Sequence, residues 1–96
     1  MSSLHTIARS PISNLLGSCT PLLAQNDALL FLEDGVIYAS RADLIAAIPG
    51  KRKLYALKED VIARGLQNKI VDTVEVISTR KFVALCCDHD KVVNWF

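Results

Sequence analysis

Residues 28–33 read ALLFLE, and residues 53–57 read KLYAL. Neither stretch alternates apolar and polar side chains as a half-exposed strand does. Short unbroken apolar runs suit strands buried on both faces, and such strands belong to parallel sheets covered by helices. Outward from these two runs the same reading continues. LHTIA at 4–8 is a first strand, VEVIS at 74–78 a fourth, and KVVNWF at 91–96 a short terminal strand or extended tail. RSPIS ends the first strand and offers Ser10 or Ser13 as the cap of a helix running to about Gln25. Gly17 and Pro21 interrupt that helix. Pro21 lacks an N–H and biases Thr20 away from the α region, so the helix either kinks there or restarts with Thr20 as cap.

EDG at 33–35 predicts a turn, with VIYA at 36–39 a short continuation of the strand. SRADLIAAI predicts a helix with Ser40 and Asp43 as a capping-box-like pair, stopped by Pro49-Gly50. KEDVIARG predicts a short helix with acids in its first turn and Gly65 as its stop. Thr79 is expected to cap a last helix through about Asp88. Strands alternating with helices predict one three-layer α/β/α domain over residues 1–96, with a mainly parallel sheet of four to five strands. Sites in such sheets gather at the carboxyl ends of the strands, here RSPIS, EDGVIYAS, LKEDVIARG and STRKF.

Ninety-six residues make one domain with a thin core, since a chain of this length buries only about 60–65% of its unfolded surface. Yet 51% of the residues are hydrophobic. That is more apolar material than a small core hides, so other subunits are expected to cover part of it. Eleven basic and ten acidic residues, spread along the chain, leave no basic stripe for phosphates, so tight RNA or DNA binding is not expected. MSSLHTIARS does not read as a signal peptide. The apolar run Ala28–Leu32 is too short to span a membrane. Three cysteines, two of them adjacent, make no disulfide framework. The expected setting is a reducing cytoplasm.

No GxGxxG or GxxxxGK[ST] loop is present, and no cofactor is implied. CCDHD at 86–90 collects metal-ligating residue types, but adjacent helical residues point about 100° apart, so Cys86 and Cys87 do not readily face one ion. No metal is expected. His5 in the first strand reads as a satisfied core or interface histidine before it reads as a catalyst. The acids of EDG read as an ordinary turn before a paired-carboxylate site. Cys19, in GSCTPLL, carries two readings. A free cysteine is a small apolar residue that packs. A cysteine at a helix start meets free amides and the positive end of the dipole, which favour its reactive thiolate.

LHTIARSP, LLFLEDGVIYA, KLYALKEDVIARGL and the closing NWF resemble, in order and over essentially the whole chain, the TusB/DsrH family. YALKEDVIARG is the most specific of these pieces. The resemblance implies a DsrE/DsrF/DsrH-like fold and a sulfur-relay role in a complex, without catalysis by this chain alone. It implies a heterohexamer with TusC-like and TusD-like sister subunits, served by a TusA-like persulfide donor and a TusE-like acceptor. The end product is 2-thiouridine at the tRNA wobble position. The alternatives are a DsrH-like subunit of a sulfur-oxidising DsrEFH complex and a purely structural subunit without thiol chemistry. Isolated, the chain is expected to self-associate. Cys19 matches the cysteine that DsrH-like chains carry in the first helical segment, which makes it a candidate persulfide acceptor. The main sulfur-carrying cysteine of the family belongs to a sister subunit. Pro21 departs from the family's first helix.

Overall fold

The computed structural model describes residues 2–95. They form a five-stranded sheet, β1 (Ser3–Ile7), β2 (Ala28–Phe31), β3 (Leu54–Leu57), β4 (Val74–Ile77) and β5 (Lys91–Trp95), in the spatial order β4-β3-β2-β1-β5. Every neighbouring pair is parallel. The terminal KVVNWF segment is thus a genuine strand through Trp95, paired along β1 from Ser3–Lys91 to Ile7–Trp95.

The strand order dictates where the helices go. From β1 to β4 the chain steps across the sheet in one direction, through α1 (Leu15–Cys19), α2 (Ala42–Ala46) and α3 (Lys58–Ala63). The step from β4 to β5 returns across the whole sheet through α4 (Thr79–Asp88). Parallel crossovers are right-handed, so reversing the direction moves the connecting helix to the opposite face. Leu16, Cys19, Ile45 and Val61 accordingly pack with Ile7, Leu29, Phe31 and Ala56 on one face. Leu85 packs with Leu4, Ala28, Leu30, Tyr55 and Ile77 on the other, flanked by Phe82 and Cys86. The layers are therefore unequal: α4 alone covers the second face among the described helices.

Several local expectations change. The predicted helix from Ser10 or Ser13 to Gln25 is three short pieces: a 3₁₀ turn Pro11–Ser13, α1, and a 3₁₀ turn Thr20–Leu22. Asn14 separates the first two in a left-handed conformation (φ 54°), which breaks the helical hydrogen-bond ladder. Neither serine caps α1; the Ser13 hydroxyl donates back to the Ser10 carbonyl. A single 3₁₀ turn, Thr20–Leu22, does follow α1, but Thr20 does not cap it: it lies inside the turn in the right-handed helical region (φ -56°, ψ -39°), with no side-chain cap.

VIYA is not strand. Glu33–Ser40 is a 3₁₀ segment that turns over the end of β1. Gly35 permits this path, because its backbone passes so close to β1 that a Cβ would lie 2.0 Å from the Ile7 carbonyl oxygen. The Leu32 N–H donates to that same oxygen at 3.0 Å. Within the segment Tyr38 is buried, stacks on Phe31 with ring centroids 5.6 Å apart, and accepts the Leu16 N–H on its hydroxyl. One side chain thus ties the 3₁₀ segment, β2 and α1 together.

The Ser40–Asp43 capping pair does not form. The Ser40 hydroxyl donates to the Ile37 carbonyl, and Asp43 pairs with Arg41. Ser78, not Thr79, caps α4 by accepting the Lys81 N–H, and Thr79 donates to Glu59. The end of α3 follows the sequence reading. Gly65 is left-handed (φ 66°), its N–H reaches the Ile62 carbonyl, and the Leu66 N–H reaches the Val61 carbonyl. That is the paired closure that glycine makes possible after a helix.

Candidate functional site

Cys19 is the last residue of α1, not the first residue of a helix. It is fully buried (0% exposed) among the apolar side chains of the larger core face. Burial pushes its thiol up to about 11, with Arg52 opposing and Asp27 reinforcing the shift. At neutral pH such a thiol is ionised in only about one molecule in ten thousand. Attack on a persulfide needs thiolate and access together. In this conformation Cys19 has neither.

The other two thiols lie on α4. Cys86 is half-buried and packs against the second core face, and burial raises its pKa as well. Cys87 is exposed. His89 is occupied by its own helix, with Nδ1 2.8 Å from the Leu85 carbonyl. Among the described residues, no three His, Cys, Asp or Glu side chains are grouped to hold a metal ion.

The carboxyl-end loops brace one another. Arg64 donates through Nε and a terminal nitrogen to one oxygen of Asp34, at 3.0 and 2.9 Å. Asp60 accepts the Glu33 N–H at 2.7 Å, holding Glu33 in its left-handed conformation (φ 50°). Glu33 and Asp34 are thus drawn to different partners, as residues of a turn that α3 clasps.

The buried polar centre of the molecule lies instead around the start of β1 and β2. His5, Thr6 and Asp27 are buried polar residues. The Asp27 carboxylate accepts from the Ser3 N–H (2.9 Å), the Ala24 N–H (2.9 Å) and His5 Nε2 (2.8 Å). Burial alone would raise its pKa, but these three donors outweigh burial and hold it below the usual carboxylate range. Arg52 donates to the Ala24 and Asp27 carbonyls, fixing the same loop from the β3 side. An ionised carboxylate only accepts, so Nε2 of His5 carries a proton, and an indole N–H only donates, so the Nδ1 facing Trp95 is an acceptor. That acceptor receives the Trp95 indole N–H at 3.0 Å. His5 is thereby satisfied at both nitrogens. A cavity of about 400 Å³ opens beside it, walled by Leu22, Ala24, Val93 and Trp95 with Asp90 and Lys91 at its lining.

Sequence reading singled out Cys19 and His5 but not the partners that define them. Asp27 is 22 residues from His5, and Trp95 is 90 residues away. Only the parallel pairing of β1 with both β2 and β5 brings the three together.

Residues 9–92 match the family model described as DsrH like protein. The chain belongs to the DsrH-like family. Within it, the chain is 39% identical to Protein TusB of Photorhabdus laumondii over 94 residues, covering 96% of this chain and 99% of that one. It is 36% identical to Protein TusB of Escherichia coli, with the same coverage of both chains. The DsrH-like fold is shared more widely. The crystal structure of the ychN protein from Escherichia coli superposes with a TM-score of 0.68 at 18% identity, over 98% of this chain and 97% of the other. The family role is sulfur relay. No helix among the described residues is long and apolar enough to cross a membrane.

Proposed function

We propose that this chain is the TusB-like subunit of a cytoplasmic sulfur-relay complex, assembled with TusC-like and TusD-like chains, that serves 2-thiolation of the tRNA wobble uridine. The near-complete match to proteins named TusB, end to end on both sides, carries this reading over a sulfur-oxidising DsrH-like one. A TusA-like protein brings the persulfide and a TusE-like protein removes it. In each handover a thiolate attacks the outer sulfur of the donor persulfide, and the donor's own thiolate departs.

Within that complex the chain's contribution is surface. The burial of Cys19 supports a structural subunit, with the working thiol in a sister chain. Exposed apolar side chains supply the surface to be covered: Ile12 is 95% exposed, Leu22 65% and Val83 58%. The alternative, Cys19 as a persulfide acceptor, requires the α1–Thr20 junction to move and uncover the sulfur. Two measurements test the proposal. Co-expression with the sister chains gives one comigrating complex; separate elution of all three at micromolar concentration overturns the assembly. Mass spectrometry after incubation with a charged donor finds no added sulfur on Cys19, and Cys19→Ser keeps cellular 2-thiouridine. A sulfur adduct on Cys19, with loss of thiolation in the variant, overturns the structural role and establishes the relay.

A further inference from the structure

The hydrogen bond between His5 and Trp95 can exist only while His5 is neutral. Asp27 fixes one ring proton on Nε2. Nδ1 must then be bare to receive the indole N–H. Protonation places a second N–H on Nδ1, and two donors then face each other at hydrogen-bond distance. Asp27 welcomes the new charge, whereas Trp95 loses its partner. The two rings are inclined by 25° with centroids 6.3 Å apart, too far for close face-to-face stacking to compensate. Histidine is the side chain that ordinarily changes charge between about pH 5 and 8.

We propose that His5 is a proton-sensitive latch that fastens the Trp95 end of the edge strand β5 when neutral and releases that side chain when protonated. The bond spans 90 residues and ties the last described residue of the chain to the first strand. β5 has β1 on one side and no described strand on the other. Trp95 is also a wall of the 400 Å³ cavity beside His5. Release therefore opens the cavity wall and loosens the carboxyl end of the sheet edge. The rest of β5 stays in place, because its ladder with β1 and the bond from the Thr6 hydroxyl to the Asn94 side chain do not involve His5.

The charged and titratable groups around His5 come from every neighbouring element. The loop before β2 brings Asp27, which bonds the ring directly. The turn before β5 and its first residue bring Asp90 and Lys91 to the shared cavity. The segment before β3 brings Arg52, held on the Ala24 and Asp27 carbonyls. α1 holds Cys19 within electrostatic reach of Asp27, and burial keeps it uncharged at neutral pH. Asp27 is held below the usual carboxylate range, so its own charge stays fixed from pH 8 to 5.

Trp95 is the sole tryptophan of the chain. Its fluorescence and its indole N–H resonance read the latch directly on the full-length protein. From pH 8 to 5 we expect reversible quenching, a red-shifted emission maximum and loss of the hydrogen-bonded indole resonance, with the far-ultraviolet circular dichroism unchanged. His89→Gln keeps the transition and His5→Gln abolishes it. Trp95→Phe gives an independent reading through the His5 ring resonances. Without the indole donor, the neutral ring loses a bond and the charged ring loses a clash, so the His5 midpoint moves up in pH. A flat Trp95 signal from pH 8 to 5 overturns the proposal. So does a transition that survives His5→Gln or coincides with unfolding, or a His5 midpoint in Trp95→Phe that stays put or falls.

Discussion

Cys19 and Asp27 show how far a residue's chemistry depends on its surroundings. Cys19 occupies the end of a five-residue helix with no open path to solvent, and burial keeps its proton on. Alkylation of the native chain at pH 7 should label Cys87 first, Cys86 more slowly, and Cys19 only after unfolding. Peptide mapping by mass spectrometry reads the order, and early labelling of Cys19 would contradict its burial. Asp27 is the reverse case, a buried group held in its charged form by three donors. Its pKa is lower folded than unfolded, so its stabilisation is present above the ordinary carboxylate range. It is lost as pH falls through the depressed folded value. Asp27→Asn should cost on the order of 1–3 kcal/mol at pH 7, the usual penalty for a buried donor left badly paired. Denaturant titrations at several pH values should show the gap to wild type narrowing towards acid.

At the scale of elements, glycine placement decides two junctions. Gly65 was readable from sequence, because a glycine just past an amphipathic turn is a standard helix stop. Gly35 was readable only as a turn residue. Its true constraint is the Ile7 carbonyl, 28 positions earlier in the chain, which leaves no room for a Cβ. Gly35→Ala should therefore destabilise by about 1–3 kcal/mol or more, the range for forcing extra volume into a packed site. Gly65→Ala meets no atom and suffers only its left-handed backbone, a strain of order 1–2 kcal/mol. Thermal melts of the two variants should rank Gly35→Ala as the worse. VIYA reads as strand from sequence for the same reason: Val36, Tyr38 and Ala39 are buried, but by a 3₁₀ segment folded over β1 rather than by pairing in the sheet.

For the whole molecule, the strand order puts three helices on one face and leaves α4 to cover the other. Leu85 is the buried residue of α4 in that layer. Leu85→Ala should cost about 2–5 kcal/mol, like other large-to-small changes in a core. Val83→Asp, on the exposed side of the same helix, should change the isolated chain by less than about 0.5 kcal/mol. Chemical denaturation of both variants checks the contrast.

Sequence by itself determined the fold class, because unbroken apolar runs such as ALLF and LYAL have a stable place only in the middle of a covered parallel sheet. It also determined the family, through matching segments spread over the chain, and the positions where α3 stops and the last helix lies. Those are local signals, carried by neighbouring residues whose propensities act over a few positions. The tertiary structure alone decided the rest. It buried Cys19, paired His5 with Asp27 and Trp95, folded Glu33–Ser40 into a 3₁₀ turn and split the helices three to one between the faces. Each of these depends on strand order and register, which bring together residues tens of positions apart. No local pattern encodes such contacts, because their energy is gained only once the chain has closed.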